Sequence, residues 1–111
     1  MKIRTMEKGG FVYMISNYKR TTVYIGVTNN IERRILEHKL NIGSHFSSKY
    51  NLKYLMYYEE HTTIIDAIAR EKQLKNWHSP WKWNLIKEEN PQLKDLAIDW
   101  YDDEMLKDNL K

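Results

Sequence analysis

Cysteine is missing from the sequence, which excludes disulfide bonds, thiolate catalysis and zinc sites with cysteine ligands. Long apolar runs are missing as well. No run near the start is long enough for a signal peptide, and no other run approaches the length of a membrane span. Internal repeats and low-complexity linkers are also absent. We therefore expect a cytoplasmic protein with no membrane association.

The chain has 111 residues, of which 41% are hydrophobic and 30% are charged. This length and composition are typical of one soluble globular domain built around a single hydrophobic core. We expect one domain over residues 1–111. The main body of the domain covers about residues 10–96, and an acidic tail covers about residues 97–111.

The net charge of +3 hides a division along the chain. Residues 88–111 hold eight acidic residues and three lysines, which gives −5, so residues 1–87 carry +8. A basic body suits a polyanionic partner such as a nucleic acid, although an ordinary solvated basic surface gives the same count. The acidic tail is expected either to pack on the body or to compete with nucleic acid for its basic face.

Segments rich in β-forming residues alternate with segments of helical periodicity. Strands are predicted at residues 11–17, 22–28 and 53–60, with a short polar link at 18–21 that makes the first two a hairpin. Helices are predicted at residues 31–40, 63–77 and 79–86, with helical pieces in the acidic stretch. Residues 43–49 are predicted to form a loop.

The resulting order is β-β-α-β-α-α with a C-terminal helical tail. It predicts an α+β fold in which helices cover a small three-stranded sheet, mixed or antiparallel. The helix starts follow from residues typical of N-caps: Asn29-Asn30, then Thr62 or Thr63 with Asp66 completing a capping box from Thr63, and Ser79 before Pro80.

Strand alternation places two tyrosines where they can meet. Phe11, Tyr13 and Ile15 share one face of the first strand, and Tyr24 and Gly26 share a face of the second. Both tyrosines are therefore expected to point at the same cleft, although strand tyrosines more often belong to the core. A phenol has a pKa near 10, so it needs a nearby positive charge to act as a base.

The first helix combines an apolar stripe with two functional side chains. Ile31, Ile35 and Ile42 form the stripe, and Arg34 and His38 lie four residues apart along its edge. The planar fork of an arginine suits phosphate oxygens, and a histidine can transfer protons near neutral pH. If Arg34 and His38 face a cleft, they can take part in a reaction. Otherwise they are ordinary surface residues whose aliphatic parts are buried.

The second helix carries an acid in an unexpected place. Its apolar stripe includes Ile64, Ala67 and Leu74, and Glu71 falls in the middle of it. A carboxylate there must bind a metal, carry a shifted pKa or be paired. An ion pair with Lys75, four residues later on the same stripe, is the simple alternative.

These residues together have a recognisable order. Val12-Tyr13, then Tyr24-Ile25-Gly26, then Arg34, His38 and a glutamate on a later helix resemble the GIY-YIG nuclease superfamily. Residues 24–38 resemble its second motif and first helix. Residues 69–77 resemble the glutamate helix of its short, stand-alone bacterial single-domain members. The resemblance covers roughly residues 10–96.

The resemblance implies a metal-dependent endonuclease in which a water attacks a phosphate in line. Glu71 would bind one Mg²⁺ (or Mn²⁺) ion together with waters and phosphate oxygens. Arg34 would hold the phosphate and stabilise the transition state. Tyr13 or Tyr24 would accept the proton of the water, with His38 as a helper or a rival in that role.

Two positions depart from the family pattern, and a third matches it only weakly. The first triplet is Phe11-Val12-Tyr13 rather than Gly-Ile-Tyr, and it keeps the tyrosine. Val27 stands where some relatives have a lysine, which puts a lysine-assisted route in doubt. Asn84 is a weak counterpart of a late asparagine that contacts the phosphate region in several relatives.

The substrate is expected to be nucleic acid, with structure-selective or weakly specific cleavage of DNA favoured and RNA open. No zinc motif or helix-turn-helix signature indicates base readout, and no obligate protein partner is evident. Candidate contacts to the nucleic-acid backbone are Lys39, Lys49, Arg70, Lys72 and Lys75.

Two alternatives belong to other classes. One is a nucleic-acid-binding module that has lost catalysis, against which the joint presence of the five candidate catalytic residues argues. The other is a protein-interaction domain that uses the tryptophans Trp77, Trp81, Trp83 and Trp100.

Overall fold

The computed structural model describes residues 9–107 and contains one antiparallel sheet of three strands. The strands are β1 (Gly10–Ser16), β2 (Val23–Thr28) and β3 (Tyr54–His61), arranged in the order β2-β1-β3. The α+β class is confirmed, and the sheet is antiparallel throughout rather than mixed. The chain passes through two helices between β2 and β3, and β3 still pairs antiparallel with the central strand β1.

The described residues also form five helices: α1 (Ile31–Lys39), α2 (His45–Lys49), α3 (Ile64–Lys75), α4 (Ser79–Glu89) and α5 (Asp103–Lys107). Asn30 and Thr63 cap α1 and α3 as predicted, each accepting a backbone N–H with its side chain. Within residues 9–107, no helix is long and apolar enough to cross a membrane.

Two predictions about where helices begin are wrong. Residues 43–49 are not all loop, because the Ser44 side chain accepts the backbone N–H of Ser47 and thereby starts the short helix α2. Ser79 is not the N-cap of α4 but its first residue, and the cap position belongs to His78. His78 makes no capping hydrogen bond with its side chain; Pro80 in the first turn favours the helix start instead.

The sheet divides the expected single hydrophobic core into two cores, one on each face. One face packs against α3 and α4 and buries Val12, Met14 and Ile25 with residues of those helices. The other face buries Tyr13 and Ile15 with residues of α1. This alternation along β1 is the predicted one, since neighbouring residues of a strand point to opposite faces.

The apolar stripe of α1 is shorter than predicted. Ile31 and Ile35 are buried, but Ile42 is 60% exposed. The helix ends at Lys39, and Asn41 then adopts a left-handed conformation with φ 64°, which turns the chain away from the helix axis. His38 takes the inner position instead and is completely buried.

The acidic region packs on the body over its described part. Asp95 accepts a hydrogen bond from the backbone of Leu55 on β3 and forms an ion pair of 2.6 Å with Lys39. Ala97 is buried in the second core, with Trp100 and Tyr101 packed against it. These contacts cover part of the outer edge of β3, which would otherwise expose unpaired backbone groups.

Candidate active site

Tyr13 lies at the centre of the site because Gly26 allows it. The two residues are opposite each other on β1 and β2. A β-carbon at Gly26 would lie 2.3 Å from the Tyr13 hydroxyl oxygen, a distance that real side chains do not tolerate. The absence of a side chain at Gly26 therefore lets the phenol lie flat against β2 and reach α1.

His38 forms a hydrogen bond with the hydroxyl of Tyr13. The Tyr13 oxygen is 2.7 Å from His38 Nε2, and His38 Nδ1 is 2.8 Å from Ser47 Oγ. Burial, helped by the nearby charge of Arg34, lowers the pKa of His38 to about 4. The imidazole is therefore neutral at pH 7. If its proton is on Nδ1 and donated to Ser47, Nε2 is free to accept the Tyr13 O–H.

Arg34 contacts the same hydroxyl from the outer side. Its Nε lies 3.4 Å from the Tyr13 oxygen, and its Nη1 donates to Glu37 at 2.8 Å. Within residues 9–107, Nη2 makes no hydrogen bond, and the side chain is partly exposed. The guanidinium is thus fixed on two sides and keeps donors for an anion from solution.

The two tyrosines have different environments. Tyr13 is almost completely buried, and burial raises its pKa to about 12 despite the hydrogen bond from Arg34. Tyr24 is only partly buried, and its ring lies 6.5 Å from the Tyr13 ring and 5.9 Å from the His38 ring. Of the two phenols, Tyr24 is the one that solvent can reach.

Glu71 lies on α3, which packs against the other face of the sheet and contacts β2. Its side chain is 12% exposed and forms an ion pair of 2.7 Å with Lys75. The Lys75 ammonium in turn lies 5.9 Å from the centre of the Tyr24 ring. The simple ion pair therefore exists, and it links the predicted metal ligand to the tyrosine cluster.

Glu71 is the one acidic side chain of the predicted site that could hold a divalent cation. Among the residues that the structure describes, no group of three or more metal-binding side chains occurs. A single carboxylate completed by waters and phosphate oxygens is nevertheless a usual way to bind Mg²⁺. Glu71 fits such a site, with Lys75 neutralising its charge in the absence of the ion.

Several predicted residues lie outside this cluster. Asn84 is exposed on α4, beside a groove lined by Trp77 and Trp81, and no contact in residues 9–107 joins it to Tyr13 or Arg34. Of the tryptophans, Trp83 and Trp100 pack against the two cores, whereas Trp81 is 53% exposed.

Three of the five residues predicted to contact the nucleic-acid backbone form ion pairs within the protein. Lys39 binds Asp95, Lys75 binds Glu71, and the Arg70 guanidinium binds Glu59 through Nε at 2.9 Å and Nη2 at 3.4 Å. The exposed residues Lys49 and Lys72 form no ion pair within the described part of the chain.

Sequence reasoning missed the residues that hold His38. Ser47 is buried, and Ser44 donates to it at 3.0 Å. Gly43 gives His38 its space, because a β-carbon there would lie 2.4 Å from Nδ1. Ser44 has the sequence signal of an N-cap, but nothing in the local pattern indicates that the helix it starts reaches His38.

The comparison with known families agrees with this geometry. Residues 9–84 match the family described as the GIY-YIG catalytic domain. The chain belongs to this family. The matched region contains both tyrosines, Arg34, His38 and Glu71, so the GIY-YIG region of the chain and the structural cluster coincide.

Two curated proteins are similar to this GIY-YIG chain. UvrABC system protein C of Aster yellows witches'-broom phytoplasma (strain AYWB) is 28% identical over 114 residues, covering 84% of this chain and 18% of that protein. UPF0213 protein SH2523 of Staphylococcus haemolyticus (strain JCSC1435) is 28% identical over 78 residues, covering 70% of this chain and 94% of that protein. The chain thus spans less than a fifth of the first relative. No solved structure matches it significantly.

Proposed function

We propose that this protein is an endonuclease that hydrolyses phosphodiester bonds in nucleic acid with the help of one Mg²⁺ or Mn²⁺ ion. The observation that carries the proposal is the placement of Arg34. Its guanidinium is fixed by Tyr13 and Glu37, while Nη2 has no partner within residues 9–107. A guanidinium oriented in this way is suited to bind a phosphate and the charge that develops on it.

Tyr24 is the better candidate to accept the proton of the attacking water. It is the more accessible phenol, and the Lys75 ammonium lies over its ring. Tyr13, whose hydroxyl is hydrogen-bonded to both His38 and Arg34, instead positions Arg34.

Glu71 is the residue that would hold the metal. The ion would act as a Lewis acid and stabilise the charge on the leaving oxygen. With a cation on the Glu71 carboxylate, the Lys75 ammonium would be available to a phosphate oxygen.

DNA is the favoured substrate, cut at a structural feature or with weak sequence preference, and RNA is the alternative. The body of the chain is basic, with +8 over residues 1–87. The described part of the chain offers exposed lysines, such as Lys49 and Lys72, for contacts to phosphates. Weak and salt-sensitive binding is the expected consequence.

Cleavage of nicked, branched and linear DNA and RNA, with Mg²⁺ or Mn²⁺ against a chelator, tests this proposal. Arg34→Ala should reduce the rate by a factor of about 10²–10³, as the loss of a transition-state donor does. Tyr24→Phe should be more harmful to kcat than Tyr13→Phe. If the parent cuts nothing, or Arg34→Ala cuts at the parental rate, the proposal is wrong. Binding without cutting would favour the inactive binding module.

A further inference from the structure

A row of aromatic side chains leads from the buried tyrosine to the surface. The Tyr24 ring stacks on Phe46 of α2 at 5.8 Å with an interplanar angle of 27°, and Phe46 contacts Tyr50 at 4.8 Å. At its inner end, Tyr24 contacts both Tyr13 and His38. Phe46 and Tyr50, which we call the aromatic platform, thus continue directly from the candidate site.

From this continuity we infer that the aromatic platform binds unstacked nucleobases, so that the enzyme accepts a strand that is unpaired next to the bond it cuts. The inference rests on the proposed function and specifies the substrate class of the same site. Aromatic side chains in a row are the usual means by which proteins hold single-stranded nucleic acid.

The exposure of the aromatic platform is more than packing requires. Phe46 is 43% exposed and Tyr50 is 45% exposed, although both are large apolar residues at a helix of five residues. Neither belongs to the two buried cores. A base stacked on them would remove this apolar surface from water, which the fold itself leaves uncovered.

Positive charges flank the row at both ends. The Lys49 ammonium lies 5.4 Å from the Tyr50 ring, and the Lys75 ammonium, which is paired with Glu71, lies 5.9 Å from the Tyr24 ring. Lys49 makes no ion pair within residues 9–107, so its charge is available to a phosphate. Aromatic faces bordered by cations match a nucleic-acid strand, which presents bases and phosphates alternately.

The inference is tested by measuring how tightly the protein binds a short labelled oligonucleotide, both single-stranded and as the duplex of the same sequence. Fluorescence anisotropy gives the affinities, and a chelator prevents cutting. Phe46→Leu and Tyr50→Leu keep apolar bulk but remove the aromatic face. Each should weaken single-strand binding by about 5- to 150-fold. Binding to the duplex should change much less. Phe46→Trp should retain the affinity of the parent.

Tyr18→Leu is the matched control, since Tyr18 is 75% exposed and contacts Tyr54 rather than the row. Its single-strand affinity should equal that of the parent. Thermal unfolding of every variant separates loss of fold from loss of binding. A 2-aminopurine base in the strand gives a second readout, since its fluorescence should be quenched by stacking in the parent and recover in Phe46→Leu.

The outcomes separate this inference from the proposed function. If the parent cleaves nucleic acid but folded Phe46→Leu and Tyr50→Leu bind single strands as tightly as it does, the inference is wrong and the nuclease stands. If the parent binds single strands through the aromatic platform and never cuts, the nuclease proposal fails and the binding surface remains. If the parent binds no nucleic acid at low salt, both are wrong.

Discussion

At the scale of single residues, the site depends on how closely Tyr13 approaches the β2 backbone at Gly26. The phenol fills the space that a side chain on Gly26 would need, and this places its hydroxyl between His38 and Arg34. The backbone of Gly26 has no positive φ, so the requirement is one of space rather than of conformation.

Gly26→Ala should therefore damage stability and activity together. The new methyl group would force Tyr13 away from His38, with an expected decrease of about 1–3 kcal/mol in unfolding free energy from overpacking. Denaturant unfolding measures the first effect, and cleavage under saturating metal measures the second. A variant as stable and as active as the parent would show that the close approach is dispensable.

The buried, neutral His38 should make the stability of the protein fall as the pH is lowered. Its pKa is lowered by burial from 6.5 to about 4, so the folded protein resists protonation that the unfolded chain accepts. The neutral form contributes its full stability above about pH 6.5, and this contribution is lost as the pH falls toward 4. The decrease should be on the order of 3 kcal/mol.

Urea unfolding between pH 7 and pH 5 measures this decline. His38→Gln lowers the overall stability but should remove most of the pH dependence in that window, because glutamine does not titrate. The window lies above the ordinary range of carboxylates, which limits their contribution. A parental stability that is flat between pH 7 and pH 5 would mean that His38 is charged, or exposed, in the folded protein.

At the scale of elements, α3 is joined to the sheet by more than apolar contacts. Arg70 on α3 binds Glu59 on β3 through two nitrogens, and Tyr57 and His61 also bond to that carboxylate. Burial by itself would raise the pKa of Glu59, but these hydrogen bonds outweigh it and lower the pKa. The cluster fixes the helix that carries Glu71.

Arg70→Lys should weaken this connection, because an ammonium cannot form the two-nitrogen contact with Glu59. A double-mutant cycle with Glu59→Gln should give a coupling energy of about 1 kcal/mol, as both side chains are partly exposed. Thermal or urea unfolding measures it. If Arg70→Lys instead lowers nucleic-acid affinity with no change in stability, Arg70 serves the substrate as the sequence suggested.

The sequence was informative about elements whose signals are local. Alternation in β1 and β2 predicted that Tyr13 and Tyr24 point the same way, and their rings do lie 6.5 Å apart. Asn30 and Thr63 were among the predicted caps, and they begin α1 and α3. Helical periodicity also indicated that Glu71 is largely buried, although not that Lys75 would extend from it to Tyr24. These features depend on neighbours within one element.

The remaining features depend on contacts between distant parts of the chain. The exposure of Ile42 and the burial of His38 follow from where the chain turns at Asn41, and the Ser47–His38 contact follows from how α2 folds back. Helical periodicity cannot predict a turn beyond the helix end. The Lys39–Asp95 pair joins residues 56 positions apart, which no local pattern reveals.

At the scale of the whole molecule, the formal charge overstates the cations available to a polyanion. Lys39 is nearly buried against Asp95, and Arg70 and Lys75 are paired with acids. The exposed residues Lys49 and Lys72 remain without ion pairs in the described part of the chain. Surface charge should therefore act through a few lysines rather than through the net charge.

The salt dependence of binding distinguishes these lysines. Lys49→Ala or Lys72→Ala should reduce the slope of log affinity against log salt by about 0.7–0.9 for each phosphate that the variant no longer neutralises. Lys39→Ala should lower stability by about 3 kcal/mol, since it leaves Asp95 unpaired in a nearly buried site. Affinity titrations at several salt concentrations measure the slopes for the Lys49 and Lys72 variants, and urea unfolding measures the stability of Lys39→Ala. Unchanged slopes in both surface variants would contradict this assignment.

The central claim, metal-dependent cleavage organised around Glu71 and Arg34, is tested most directly by the Mg²⁺ dependence of the cleavage rate in the parent and in Glu71→Gln. Asp66→Asn, a matched change to an exposed acid on the same helix, is the control. The parent and the control should cut with Mg²⁺ and stop in a chelator, while Glu71→Gln should be slower by a factor of at least about 10² at every Mg²⁺ concentration. Equal rates for Glu71→Gln and the parent, or parental cleavage that continues in the chelator, would contradict the claim.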